Sequence, residues 1–361
     1  MPRETTMETM DHMNWREILA RSISNVEGLE EHFNMNLAHM REVTARYPMR
    51  INPYYLSLIK SHDDPMGLQA IPDVRELSDD LTSSDPLSEE PLSPVPGLIH
   101  RYPDRVVFLV SNACAMYCRY CMRKRNIAAD SEPSVFQTET DYRIERGIRY
   151  ITDTPAIRDV ILSGGDPLLL ETSYLSKILS RIRSIAHVET IRIHTRVPCT
   201  LPFRITDHLV SELKKFHPLY INTHFNHPDE ITPRAAQACT RLADAGIPLG
   251  CQTVLLKGIN DTPSVMADLM RKLVRIRVKP YYIHHPDPVA GTAHFRPSLQ
   301  TGLTVMRSLR GHISGLCVPQ YMIDLPGGKG KMPILPTDIR SMSDKKITVE
   351  NYLGEICNYE F

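Results

Sequence analysis

The chain has 361 residues, and its 42 lysine and arginine side chains balance 42 aspartate and glutamate side chains. This formal net charge of zero gives no overall electrostatic reason to expect nucleic acid or an anionic membrane as a partner. The first twenty residues lack the apolar core of a signal peptide, and the apolar runs are too short to cross a bilayer. Three of the eight cysteines lie within eight positions, unlike an evenly spaced disulfide framework. We therefore expect a cytoplasmic protein.

An N-terminal arm is predicted over residues 1–98. Between residues 15 and 47, apolar side chains recur at three- and four-residue intervals, which is typical of a pair of amphipathic helices packed on a larger body. Residues 63–96 are rich in proline, serine and acidic residues. This composition predicts an ordered loop that crosses the surface and contributes few core residues. We assign the helical stretch at 15–47 to packing and not to chemistry.

Residues 99–300 alternate predicted strands with helical or loop segments. Six strands are predicted, at 106–110, 160–162, 190–194, 220–224, 249–254 and 279–283. Six such units predict an α/β fold in which a parallel sheet curls into a partial (β/α)6 barrel. Ligands of such barrels bind beyond the carboxyl ends of the strands, and polar residues stand at the end of every predicted strand.

Three cysteines follow the first predicted strand in a C-x3-C-x2-C pattern, at Cys114, Cys118 and Cys121. Thiolates suit zinc or iron–sulfur clusters, and three on one loop can hold three corners of a cubane cluster. The fourth iron is then open to a small molecule such as S-adenosylmethionine. Two alternatives are a zinc site completed by a distant His or Cys, and simple packing. The usual zinc signature contains a second C-x2-C pair, which this sequence lacks.

Further polar residues follow the later strands. Ser163-Gly164-Gly165-Asp166 comes after the second strand, where two glycines allow a close approach of the backbone. The motif fits either a plain turn or a contact with the amino group of S-adenosylmethionine, and we favour the contact. His224 and Gln252 fit the barrel mouth as ligand contacts or as structural hydrogen-bond donors.

A glycine-rich turn with two lysines occupies residues 324–333. It lacks the G-x4-G-K-[ST] spacing of a P-loop, so nucleotide hydrolysis is disfavoured. A lysine on such a turn fits a plain surface loop, a phosphate contact, or a covalent bond to a carbonyl group such as that of pyridoxal phosphate. Two arginines at 100–105 either clamp a phosphate or remain solvated charges before a strand.

Taken together, these motifs resemble the lysine 2,3-aminomutase family of radical S-adenosylmethionine enzymes. The resemblance extends from about residue 15 to beyond residue 336, and it is carried by segments 100–105, 114–125, 163–166, 222–228 and 326–331. It implies a 4Fe-4S cluster on the three cysteines, S-adenosylmethionine on the open iron, and pyridoxal 5′-phosphate on Lys331. Residues 301–361 would then form a C-terminal pyridoxal-phosphate-binding segment.

The same resemblance implies roles for individual residues. Arg101, Tyr102 and Arg105 would bind the phosphate region of pyridoxal phosphate. His224 and Gln252 would contact S-adenosylmethionine, as would the Ser163–Asp166 motif. Arg123 would pair with the carboxylate of the substrate.

The implied reaction exchanges an amino group and a hydrogen atom between adjacent carbons of an amino acid. A one-electron reductant such as flavodoxin or ferredoxin would reduce the cluster, which then converts S-adenosylmethionine into methionine and a 5′-deoxyadenosyl radical. That radical takes hydrogen from the β carbon of the substrate. The barrel would hold the reacting atoms in contact and exclude water.

Acidic residues stand at both positions that receive the distal ammonium in the lysine enzymes, namely Asp287 and Asp324. Two carboxylates in a partly desolvated site repel each other unless a cation joins them. A basic α-amino acid therefore fits and glutamate does not. We predict L-lysine, with arginine as the close competitor because a guanidinium can bridge two carboxylates.

Several positions depart from the family pattern. His284-His285-Pro286 differs from the tract that precedes Asp287 in lysine enzymes, and Lys329 replaces a glycine. Cys357 is the only cysteine after Cys317, and Thr262 replaces its expected partner, so no intersubunit zinc site is expected and a homo-oligomer remains open.

Three other classes also remain open: a non-enzymatic zinc protein, a radical enzyme without pyridoxal phosphate, and a relative that modifies lysine within a protein.

Overall fold

The computed structural model describes residues 7–33, 37–78, 83–126 and 133–360. The predicted helical region 15–47 and the predicted loop 63–96 each include a few positions, 34–36 and 79–82, that lie outside these residues. Within the described residues, no helix has the length and apolar character needed to span a membrane.

A nine-stranded sheet forms the centre of the chain. Its strands follow one another in sequence order, β1 to β9. Their bounds are Leu98–Tyr102, Arg105–Ser111, Asp159–Gly164, Thr190–Thr195, Leu219–Thr223, Leu249–Val254, Val278–His284, Gln320–Asp324 and Lys331–Pro333. Strands β2 to β8 are parallel, whereas β1 and β9 pair antiparallel at the two edges. The α/β partial barrel is thereby confirmed.

The six predicted strands correspond to β2 through β7. The seventh parallel strand, β8, and the two antiparallel edge strands were not predicted from the sequence. Strands β8 and β9 lie beyond residue 300 and yet belong to the same sheet. The division at residues 98 and 300 stays a prediction.

Helices connect the parallel strands and cover the outside of the sheet. In chain order, α1 to α13 span Met7–Met10, Trp15–Ala20, Val26–Phe33, Arg41–Arg46, Pro53–Leu56, Pro65–Ala70, Pro133–Thr152, Thr172–Arg183, Val197–Thr200, Asp207–Leu213, Pro233–Asp244, Pro263–Arg275 and Leu299–Leu309. The buried residues of α12 are Met266, Leu269, Met270 and Leu273, which is the spacing of one helical face. Burying each such side chain contributes about 1.5–3 kcal/mol.

The N-terminal arm consists of several short helices, and not the predicted pair. Helix α2 begins with a capping box, in which Asn14 accepts from the backbone N–H of Glu17 and the Glu17 side chain accepts from that of Asn14. The arm is tied to the cysteine loop by Asn52, whose amide donates to the carbonyls of Ala115 (3.0 Å) and Thr200 (2.9 Å). Asn52 therefore packs this part of the chain against the start of the cysteine loop.

The prediction of a surface loop over residues 63–96 is wrong in one respect. Helix α6 and the segment after it contribute fully buried side chains, including the polar residues Gln69 and Glu76. Glu89 is also buried, at 4% exposure. Acidic composition suggested a solvated segment, but each of these carboxylates is buried against arginine or lysine of the cysteine loop. Opposite charge makes such burial tolerable.

A separate three-stranded antiparallel sheet ends the chain. Its strands β10, β11 and β12 span Ile339–Met342, Lys346–Glu350 and Ile356–Glu360. Register pairs Ile339 with Val349 and Met342 with Ile347. Several large apolar side chains of this segment are exposed, such as Met342 at 71%.

Candidate active site

Two contacts join the opposite ends of the nine-stranded sheet. Arg101 on β1 donates from Nη1 to Oδ1 of Asp324 on β8, at 3.1 Å. The Tyr102 hydroxyl on β1 accepts from the backbone N–H of Lys331 on β9, at 2.9 Å. The sheet is therefore curled far enough to bring its two edges together around one interior.

The cysteine loop leaves β2 and is held by backbone hydrogen bonds to the N-terminal arm. The backbone N–H of Tyr117 donates to the Arg50 carbonyl (3.0 Å), and that of Arg119 donates to the Gln69 carbonyl (2.9 Å). The Arg119 and Lys124 side chains both pair with the buried carboxylate of Glu76, at 2.6 and 2.7 Å. This buried ion cluster fixes the loop on both sides of its last cysteine.

The three cysteine thiols lie close enough to influence one another. Burial, followed by the neighbouring Cys121, raises the pKa of Cys114 well above its usual value. Burial and Cys118 raise the pKa of Cys121 to about 11. Within the described ranges, no three His, Cys, Asp or Glu side chains surround a single ion site. In a cubane cluster, by contrast, each thiolate binds a different iron. The positive charge of the irons would stabilise the thiolate forms that burial disfavours, so the three cysteines fit such a cluster.

The glycine motif after β3 packs against the chain that leads into the cysteine loop. A Cβ on Gly164 would lie 2.0 Å from the Ser111 carbonyl oxygen, and Gly164 has φ +127°. The backbone N–H of Gly165 donates to Ser111 O (2.6 Å), and that of Asp166 donates to Ala113 O (2.7 Å). The glycines thus permit a close approach within the protein itself. Because the N–H groups of Gly165 and Asp166 already donate within the protein, the motif can contact an ammonium group through its backbone carbonyl oxygens.

The Asp166 carboxylate accepts four hydrogen bonds from groups within the protein. It accepts from the hydroxyl of Thr195 (2.6 Å) and from the backbone N–H groups of Arg196 (2.7 Å), Val197 (3.1 Å) and Leu168 (3.1 Å). Asp166 therefore orients the turn after β4.

Lys331 and Asp324 are cross-strand partners at the β8–β9 edge, and their side chains form an ion pair. Asp324 is 3% exposed and also accepts from Arg101, so two cations share one carboxylate. The neighbouring Gly330 has φ +100°, and a Cβ there would lie 3.4 Å from the Tyr102 hydroxyl. Glycine therefore permits a backbone conformation beside Lys331 that other residues rarely adopt.

The two arginines that were expected to bind a phosphate, Arg101 and Arg105, lie in different environments. Arg101 is nearly buried, and its Nε has no hydrogen-bond partner among the described residues. Arg105 instead lies with its guanidinium carbon 4.0 Å from the centre of the Tyr102 ring and pairs with Asp104 at 3.2 Å. An orphaned, buried arginine N–H is the feature expected where an anion binds.

Asp287 differs from Asp324 because it makes no ion pair with any residue that the structure describes. Burial, and then the charge of Asp324, raise the pKa of Asp287 to about 7. Lys331 and Arg101 act in the opposite direction, and the nearby Glu89 raises the pKa further. Asp287 is thus a partly buried carboxyl group that has no ion-pair partner among the described residues.

Neutral histidines face the same interior. Burial, with the charges of Arg196 and Arg123, lowers the pKa of His224 to about 4. Burial and Lys331 lower the pKa of His284 well below its usual value. His224 follows β5, and Gln252, 7% exposed, lies within β6. These side chains can accept or donate hydrogen bonds there without carrying charge.

Arg123 is held by two partners from different parts of the chain. It donates from Nε and Nη2 to the Glu89 carboxylate (3.1 and 2.8 Å) and from Nη1 to the Ser163 hydroxyl (3.1 Å). The cysteine loop, the glycine motif and the proline-rich segment therefore meet at this guanidinium.

Comparisons with known proteins identify the family. A family model described as the radical SAM superfamily matches residues 108–270, and one described as lysine-2,3-aminomutase matches residues 306–361. L-lysine 2,3-aminomutase from Clostridium subterminale is 46% identical over 97% of this chain and 84% of its own length. This chain belongs to the lysine 2,3-aminomutase family.

Other relatives in the lysine 2,3-aminomutase family carry more than one name. A putative L-lysine 2,3-aminomutase from Aquifex aeolicus is 50% identical over 87% of this chain and 85% of its own length. Glutamate 2,3-aminomutase from Clostridioides difficile is 42% identical over 98% of this chain and 84% of its own length. The chain is therefore a radical S-adenosylmethionine 2,3-aminomutase, while identity alone does not select its amino acid.

Membership in the lysine 2,3-aminomutase family confirms the predicted family, fold class and isomerase activity, and it rejects the non-enzymatic zinc alternative. It also implies a 4Fe-4S cluster and S-adenosylmethionine. Four residues that support the site were not predicted from the sequence, namely Gln69, Glu76, Glu89 and Glu230. Their only local signal is an acidic or amide side chain in a segment without regular periodicity, so their partners could not be read from the sequence.

Proposed function

We propose that this aminomutase converts a free basic L-α-amino acid, first of all L-lysine, into its β-amino isomer. The observation that carries this proposal is Asp287, a partly buried carboxyl group that makes no ion pair with any described residue and whose pKa is raised to about 7. A distal ammonium brought by the substrate would supply the missing charge. L-Arginine is the second candidate, because its guanidinium can reach both Asp287 and Asp324.

The charge around Asp287 argues against glutamate. A side-chain carboxylate of the substrate would meet Asp287, which has no ion-pair partner among the described residues, whereas Arg101 and Lys331 are already paired with Asp324. Like charges repel each other more strongly where water is largely excluded, so the binding of glutamate is disfavoured. The glutamate-named relative thus differs from this proposal in substrate and agrees with it in reaction class.

We propose that Cys114, Cys118 and Cys121 hold the cluster and that Lys331 holds pyridoxal 5′-phosphate. When bound, pyridoxal phosphate activates the amino nitrogen for migration, and S-adenosylmethionine on the cluster supplies the radical that takes hydrogen from the β carbon. Arg101, Tyr102 and Arg105 would bind the phosphate region. His224, Gln252 and the segment Ser163–Asp166 would contact S-adenosylmethionine, with flavodoxin or ferredoxin as the electron donor in the cytoplasm.

The remaining roles belong to residues that bind and orient the substrate. Arg123 would hold its carboxylate, and Asp287 with Asp324 would hold its distal cation. These groups would fix both ends of the substrate molecule. Orientation of this kind removes much of the entropic barrier to a rearrangement.

The experiment is a substrate comparison under anaerobic conditions. The enzyme, reconstituted with iron, sulfide, pyridoxal phosphate and S-adenosylmethionine, is incubated separately with lysine, arginine, ornithine and glutamate. Mass spectrometry after chromatography separates the α from the β isomers. We expect the β isomer of lysine to form fastest, and glutamate as the preferred substrate would overturn the proposal.

We also propose a homo-oligomer assembled through the C-terminal sheet. Cross-strand partners lie on the same face, and one face carries the apolar residues Ile339, Met342, Ile347, Val349 and Tyr359. Ile339, Met342 and Tyr359 are 55%, 71% and 65% exposed. A contiguous apolar face of this kind is typical of a surface that another subunit covers.

A further inference from the structure

The guanidinium of Arg196 donates a hydrogen bond to one of the three cysteine sulfurs. Arg196 follows β4, is 9% exposed, and donates from Nη1 to Sγ of Cys118 at 2.9 Å. Its Nη2 donates to Gln69 Oε1 (2.7 Å) and to Glu230 Oε1 (2.6 Å). Arg196 thus connects a proposed cluster ligand to a buried carboxylate.

The position of Arg196 is fixed from several sides. Its backbone N–H donates to Asp166, at 2.7 Å. The rings of Tyr55 and Tyr120 have their centres 5.5 Å from the guanidinium carbon. Cation–π contacts of this kind add to the ion pair in a desolvated setting. The guanidinium therefore cannot easily turn away from Cys118.

Glu230 is fixed as firmly as Arg196. It is 0% exposed, and its Oε1 also accepts from the Tyr55 hydroxyl at 2.8 Å. Its Oε2 accepts from the backbone N–H groups of Asn226 (2.6 Å) and His227 (3.0 Å). The Glu230 carboxylate is consequently held in a fixed position, and the Arg196 guanidinium lies between it and the Cys118 sulfur.

A cluster gains one negative charge when it is reduced. A positive charge and an N–H donor at a ligand sulfur stabilise the reduced cluster more than the oxidised one, and they therefore raise its reduction potential. A buried carboxylate behind that donor has the opposite effect. Arg196 and Glu230 should accordingly shift the potential in opposite directions.

We propose that Arg196 and Glu230 together set the reduction potential of the cluster through the sulfur of Cys118. The inference rests on the proposed cluster at the three cysteines and goes beyond it by assigning the tuning to one ion pair. Arg196 raises the potential, which eases reduction by the electron donor. Glu230 limits that rise, so the reduced cluster remains able to pass its electron to S-adenosylmethionine.

Arg204 provides a matched control. It is a buried arginine, 1% exposed, but its guanidinium donates to the carbonyls of Leu168 (2.7 Å) and Leu170 (2.9 Å) and to the Thr172 hydroxyl (3.2 Å). No cysteine is among these partners. Substituting Arg204 removes a buried guanidinium without touching a proposed ligand sulfur.

The test is a potentiometric titration with dithionite, followed by the electron paramagnetic resonance signal of the reduced cluster, in the absence of S-adenosylmethionine. The full-length wild type is compared with Arg196→Gln, Arg196→Lys, Glu230→Gln and Arg204→Gln after iron and sulfide analysis. We expect the midpoint to become more negative in Arg196→Gln, less so in Arg196→Lys, and more positive in Glu230→Gln. Arg204→Gln should keep the wild-type midpoint.

The outcomes separate the inference from the proposed function. A wild type without iron and sulfide would overturn both. A wild type with a full cluster, together with an unchanged midpoint in Arg196→Gln, would overturn only the inference. Shifts of the same sign in Arg196→Gln and Glu230→Gln would also overturn it, since they would indicate general loosening of the site. If Arg196→Gln fails to retain a cluster, the midpoints of Arg196→Lys and Glu230→Gln decide.

Discussion

Glu89 holds Arg123 by two parallel hydrogen bonds, from Nε to Oε2 at 3.1 Å and from Nη2 to Oε1 at 2.8 Å. Paired contacts of this geometry fix the plane of a guanidinium as well as its position. Nη1 is directed to the Ser163 hydroxyl. Arg123 is therefore oriented before any substrate arrives, by a carboxylate 34 residues earlier in the chain.

Substituting Glu89 should weaken substrate binding more than it slows the reaction. In Glu89→Gln the guanidinium loses its charged partner and its fixed plane, so we expect the KM for the amino acid to rise about tenfold or more with a smaller change in kcat. Steady-state kinetics provide the measurement. Glu90→Gln is the matched control, because Glu90 is 73% exposed and contacts only Arg125 among the pairs at this site. Equal KM values for the two variants would refute the orienting role.

Lys331 should be the lysine that retains pyridoxal phosphate. In Lys331→Ala we expect loss of the visible absorbance of the enzyme-bound cofactor and loss of turnover, with iron and sulfide unchanged. Lys329→Ala is the control, because Lys329 lies two residues away on the same turn and is exposed. Absorbance spectra after removal of free cofactor give the answer. A Lys331→Ala enzyme that keeps the cofactor absorbance would show that another group holds pyridoxal phosphate. A wild type without that absorbance, whose turnover survives Lys331→Ala, would favour the class without pyridoxal phosphate.

Asp287 predicts a pH dependence of substrate binding. Burial and Asp324 raise its pKa to about 7, and only the ionised carboxylate attracts a distal ammonium. The ionised fraction is about a tenth at pH 6 and about nine tenths at pH 8. The KM for lysine should therefore fall about tenfold as the pH rises from 6 to 8.

Asp287→Asn removes the titrating group and serves as the control for that profile. Its KM should be high and should vary little over the same pH range. The charged neighbours Asp324, Glu89, Lys331 and Arg101 remain in this variant, so any dependence that persists belongs to them. An unchanged tenfold slope in Asp287→Asn would show that Asp287 is not the group responsible.

The glycine motif gives a prediction about assembly of the cysteine loop. Gly164→Ala would place a Cβ 2.0 Å from the Ser111 carbonyl oxygen at φ +127°, so the backbone that leads to Cys114 must move. We expect a lower melting temperature and less iron per chain after reconstitution. Gly315→Ala is the control, because nothing lies within 4 Å of a Cβ at that position. Normal iron content in Gly164→Ala would contradict this explanation of the motif.

Local sequence signals account for the central strands and for the cysteine loop. The predicted strand at 249–254 has the same bounds as β6. By contrast, β1 and β9 are short and partly exposed, so neither carries a clear alternating pattern. The contact that brings these two edges together joins residues more than two hundred positions apart, Arg101 and Asp324, so no local pattern could reveal it.

Buried ion pairs were the larger gap in the sequence-based prediction. Glu76 and Glu230 look like ordinary surface acids in the sequence, yet both are essentially inaccessible to solvent. Their partners, Arg119 and Arg196, are 43 and 34 residues away. Periodicity reports which face of an element is apolar, and it carries no information about which distant cation a buried carboxylate will meet.

The apolar face of the C-terminal sheet predicts the assembly state. Met342→Asp would place a charge among Ile339, Ile347 and Tyr359, on the face that we propose a second subunit covers. We expect light scattering after size-exclusion chromatography to show an oligomer for the wild type and a smaller species for Met342→Asp. Ile356→Asp is the matched control, since Ile356 is 61% exposed and pairs with Glu350 on the opposite face. A monomeric wild type, or equal dissociation in both variants, would exclude this face as the interface.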